Sequence, residues 1–80
     1  MHELGVISYA VKTVDEIAEK NGVEKIKFIT LDVGEDSGFV PDYLHKLFPV
    51  ATDGKARFGG AELRIYIVPG KGLVIKEIGY

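Results

Sequence analysis

The sequence predicts an α+β domain in which two helices pack on one face of a mainly antiparallel three-stranded sheet, in the order helix, strand, helix, strand, strand. Two periodicities and the punctuation between them carry this expectation. The amino-terminal segment repeats its apolar residues every three or four positions, whereas residues 61–67 repeat them every two. Clusters of glycine and proline separate the periodic stretches and leave room for one further strand and one short helix.

The first helix is read from Leu4, Ile7, Val11, Val14 and Ala18, with Ala10 and Ile17 widening the stripe. Lys12, Asp15, Glu16, Glu19 and Lys20 form the opposite, polar face, and Asn21-Gly22 supplies a stop, so the helix should end near Lys20. Lys25 to Val33 reads as a strand, because Ile29, Leu31 and Val33 alternate with Thr30 and Asp32. Gly34 to Gly38 reads as a turn. Pro41 then opens a second helical pattern through Leu44, Leu47, Phe48 and Ala51, which Pro49 should kink or end before Phe48. After a loop from Gly54 to Gly60, Ala61, Leu63, Ile65 and Ile67 alternate with Glu62, Arg64 and Tyr66 as a second strand. Pro69-Gly70-Lys71-Gly72 separates it from a third, Leu73 to Ile78, and the two are expected to pair as a hairpin.

Composition excludes several function classes. Eighty residues suit one compact domain, and the absence of cysteine removes disulfides, thiolate metal sites and cysteine nucleophiles. Ten basic and twelve acidic residues give a net charge of -2 with no concentrated basic stripe, which argues against a nucleic acid partner. Apolar runs are only a few residues long, so no membrane span is expected, and His2-Glu3 stands where a secretory signal would place basic residues. A cytoplasmic protein is expected. No enzyme is expected either: Ser8 and Ser37 could meet His2 or His45 only on paper, without a nucleophile elbow, and read as surface serines. The turn at Gly34 to Gly38 lacks the lysine of a phosphate loop.

The remaining chemistry lies at the amino terminus. A histidine in second position can chelate a metal through its imidazole, its own deprotonated amide nitrogen and the terminal amine, forming two fused rings. Planar, nitrogen-rich sets of this kind suit Ni(II) or Cu(II) rather than zinc or magnesium. Read from the residues alone, the favoured reading of His2 in an arbitrary protein is a polar residue capping a helix start, with the chelate as the rarer one. His45 reads as a solvated histidine, while Glu35, Asp36 and Asp42 read as acidic residues complementing a helix dipole, with a metal patch as their second reading.

Four segments, MHELGVISYAV, IKFITLDVGEDSGFVPDYLHKLF, GGAELRIYIVP and LVIKEIGY, resemble successive parts of the HypA/HybF family of hydrogenase and urease nickel-incorporation proteins. The resemblance implies one nickel-binding domain over residues 1–80 that helps deliver Ni(II) to nickel-iron hydrogenase. It places the metal site at Met1, His2 and Glu3: the His2 imidazole as ligand, the Met1 amine and backbone amides completing the set, and Glu3 in support. Met1 should persist, since the enzyme that trims initiator methionine needs a small second residue. Family members usually carry a zinc domain with paired CxxC motifs between the last two strands, whereas here Pro69 to Gly72 joins them directly, so no zinc site is expected. The implied partners are nickel and a hydrogenase-maturation protein or hydrogenase precursor. The alternative is a metal-free interaction module on the same fold, whose exposed edge strand would support a homodimer.

Overall fold

The computed structural model describes residues 2–80. Helix α1 spans Glu3–Lys20 and buries Ile7, Ala10, Val11, Val14 and Ala18, the centre of the predicted stripe. Leu4 and Ile17, on its flanks, stay 45% and 40% exposed. Asn21 closes the helix with its backbone N–H shared between the carbonyls of Ile17 and Ala18, and Gly22 then turns the chain at φ +68°.

Strand β1 follows at Phe28–Gly34, after an irregular lead-in whose Ile26 is fully buried. The chain continues through α2 at Pro41–Ala51, a 3-10 turn at Ala56–Phe58, and strands β2 at Glu62–Val68 and β3 at Leu73–Gly79. Element order and the single helix-covered face are as expected. Ile29, Leu31 and Val33 of β1 stand beside Leu63, Ile65 and Ile67 of β2 and Ile78, Ile75 and Leu73 of β3 in the register. All of these except Ile67 join the helix residues in one core.

The pairing differs from expectation. The sheet order is β2-β1-β3, with β1 parallel to β2 and antiparallel to β3, so the sheet is mixed and the last two strands form no hairpin. Burial shows why β1 takes the centre. Ile29, Thr30 and Leu31 are buried consecutively, on both faces, as a central strand requires, whereas β2 and β3 bury little on the open face.

The link from β2 to β3 therefore crosses the end of β1. Two strand spacings amount to about 10 Å, within reach of four extended residues. The amides of Gly34, Glu35 and Asp36 donate to the carbonyls of Gly72, Val68 and Gly70 at 2.7, 2.7 and 2.8 Å and fasten the crossing.

Two further corrections concern α2 and the loop after it. The helix continues through Pro49, which lies exposed in its last turn, where only one intrahelical bond is lost. Residues 54–60 are not an open loop: Phe58 inserts into the core at 4% exposure, and Arg57 ties the turn to α1. The Arg57 Nε donates to Asp15 Oδ1 at 2.6 Å, and its other nitrogens bond Glu19 Oε2 and the Val23 carbonyl.

Candidate metal centre

His2 is the N-cap of α1. Its carbonyl accepts the first intrahelical bond from the Val6 amide at 3.1 Å, while its exposed side chain makes no capping bond. The helix thus uses the backbone of His2, and no capping bond engages its imidazole among the described residues. Met1 lies outside the described residues, so the amine expected to join His2 has no described position.

Glu3 behaves differently. It is only 7% exposed, and its Oε2 accepts from the Val40 amide at 3.3 Å, across 37 residues of sequence. The local chemistry explains the long reach. Val40 is the N-cap of α2 and has no polar side chain, while Tyr43, three residues on, cannot reach back to its amide as a glutamate would. Glu3 fills that role from the neighbouring helix. Its charge also lies at the start of α1, which the helix dipole favours.

The other residues raised by the sequence remain apart from this terminus. His45 is exposed on α2, Glu35 and Asp36 are exposed in the turn after β1, and Asp42 is exposed in the first turn of α2. Ser37 spends its hydroxyl accepting the Phe39 amide at 3.2 Å. Among the described residues, no three His, Cys, Asp or Glu side chains converge as a metal set. A metal held here would rely on the His2 imidazole and backbone nitrogen. The Glu3–Val40 contact had one sequence signal, an apolar residue before a helix-opening proline, but nothing local names the distant acceptor.

An apolar groove of about 570 Å³ runs between α1 and β3, lined by Val6, Tyr9, Phe39, Leu73, Val74 and Ile75 among others. No helix among the described residues is long and apolar enough to cross a membrane.

The fold is an open-faced, two-layer α+β domain with an exposed histidine at the start of its first helix. The family described as "Hydrogenase/urease nickel incorporation, metallochaperone, hypA" matches residues 1–73, and this chain belongs to it. Among similar proteins, a hydrogenase maturation factor HypA from Trichodesmium erythraeum (strain IMS101) is 39% identical over 72 residues, covering 90% of this chain and 60% of that relative. One from Roseiflexus sp. (strain RS-1) is 41% identical over 69 residues, covering 86% of this chain and 55% of that relative. The chain thus spans under two thirds of either relative. The solution structure of the Ni metallochaperone HypA from Helicobacter pylori superposes with a TM-score of 0.78 at 21% identity, over 96% of this chain and 72% of that one, a likeness of fold.

Proposed function

We propose that this chain is a carrier, not a catalyst: it binds Ni(II) at its amino terminus and passes it to a partner during maturation of nickel-iron hydrogenase in the cytoplasm. The observation that carries this reading is the exposed His2 imidazole, unengaged by the helix it precedes. The Met1 amine, the His2 backbone nitrogen and the imidazole would form the fused chelate, with Glu3 in support. Residues 1–80 act in this reading as one nickel-binding domain without a zinc site, and the partner is a maturation protein or the hydrogenase precursor.

The chemistry imposes two behaviours. Amine, amide and imidazole must all shed protons before they coordinate, so nickel affinity falls as pH falls and binding releases protons. Planar nitrogen ligation also favours Cu(II) over Ni(II), so copper should displace nickel in vitro.

The test is calorimetric titration of Ni(II) into tag-free protein with a native terminus, beside His2→Ala and an amino-terminally extended form. Wild type is expected to take up about one nickel per chain, with both altered forms losing it. Equal binding by all three, or none by wild type, removes the terminal site.

A further inference from the structure

We infer that the Glu3 carboxylate is a positioning group that clasps the metal-loading terminus to the start of α2, and is not itself a nickel ligand. This rests on the nickel reading above and concerns how that site is held. Three observations converge on it. Glu3 directly follows the exposed His2, yet its own side chain turns inward to 7% exposure. Its Oε2 is engaged by the Val40 amide, a donor that α2 has no side chain of its own to satisfy. The bond also joins the first residue of α1 to the residue preceding Pro41, so two helix starts are fixed to one another.

The consequence for loading is geometric. His2 has φ -103° and ψ 62° and leads straight into the helix, so fastening Glu3 sets the direction in which the chain arrives at the chelating atoms. Releasing the clasp lets the first turn fray, and metal binding must then order that turn again. A partner that shifts the start of α2 would loosen the same clasp, which makes nickel retention sensitive to a contact made away from the metal.

The experiment separates charge from reach. Nickel titration and hydrogen exchange at the Val40 amide are measured on wild type, Glu3→Gln, Glu3→Asp and Glu3→Ala. The carboxamide oxygen of Gln can accept from Val40, whereas Asp keeps the charge on a side chain one methylene too short. Glu3→Gln is expected to hold the Val40 amide protected and keep nickel affinity near wild type. Glu3→Asp and Glu3→Ala should expose that amide and weaken nickel about tenfold, the effect of one lost hydrogen bond to a charged group. If Glu3→Gln loses nickel while Val40 stays protected, the carboxylate is a ligand and the inference falls. Unchanged nickel affinity in all three variants makes the contact merely structural and also overturns it. Should Glu3→Ala not fold, Gln against Asp decides alone. Failure of wild type to bind nickel is a separate outcome that sinks the nickel reading itself.

Discussion

Gly34 and Gly79 both stand where a side chain would collide, but the obstacle differs. A Cβ on Gly34 would fall 2.7 Å from the Gly70 carbonyl carbon and 2.9 Å from the Gly72 nitrogen, backbone atoms of the crossing link. On Gly79 it would instead overlap the ring of Phe28, a side chain that can swing away. The ring's alternative position has a cost of its own, because the Arg64 guanidinium sits 3.8 Å from its centroid. Gly34→Ala is therefore expected to destabilise by about 2–3 kcal/mol, since the link must lift off the end of β1. Gly79→Ala should lose only about 1 kcal/mol, the scale of a surface cation–π contact and its packing. Urea unfolding checks both, and equal losses would show that the link yields as easily as a ring. Neither demand was legible in the sequence, where Gly34 read as the start of a turn. That a helix begins beside His2 was legible, because its apolar stripe opens at Leu4. Glu3's grip on Val40 was not, because its two ends are 37 residues apart.

Among the elements, α1 was readable almost to its ends because an amphipathic stripe is a property of one segment. Strand pairing is not. Turn residues between β2 and β3 suggested a hairpin, yet β1 is the strand buried on both faces, and it takes the position between them. Thr30 and Asp32, alternating with Ile29, Leu31 and Val33, gave β1 the look of a strand with one wet face and hid its central place. For α2, the general penalty of proline was set against its position: in the last turn, with the ring exposed, Pro49 removes only the bond that would have gone to the His45 carbonyl. Pro49→Ala regains that bond but frees the unfolded chain by nearly as much, so a net gain of no more than about 0.5 kcal/mol is expected in urea unfolding. A loss would mean that the ring contributes packing. At the 3-10 turn, the hydrogen bonds that Arg57 donates to Glu19 and Asp15 raise its guanidinium pKa above the ordinary arginine value. A base whose folded value is raised contributes fully below its unfolded value, so this clasp does not weaken with rising pH until strongly alkaline conditions. Arg57→Lys keeps the charge but cannot bond Asp15, Glu19 and the Val23 carbonyl together, so its melting temperature should fall. Added salt should narrow that gap only in part, because the carbonyl bond is not an ion pair.

For the whole molecule, the crossing link decides how much added chain the sheet tolerates between its last two strands. Had β2 and β3 formed a hairpin, an insertion between them would separate paired neighbours. Because each pairs with β1 instead, the sheet does not depend on the link being short. The ladder from Phe28↔Glu62 to Gly34↔Val68 and that from Phe28↔Gly79 to Val33↔Leu73 are complete without residues 69–72. What the short link adds are the carbonyls of Gly70 and Gly72, which accept from Asp36 and Gly34. Inserting about ten Gly and Ser residues between Gly70 and Lys71 should cost about 1 kcal/mol in loop closure. Loss of those two bonds adds about 1–2 kcal/mol. The expected result is a weaker but cooperative urea transition, with β1 amides still protected on both sides. Retention of that protection would show that this point of the fold accommodates added chain. Collapse of the β3 amides alone would show instead that the crossing holds the third strand in place.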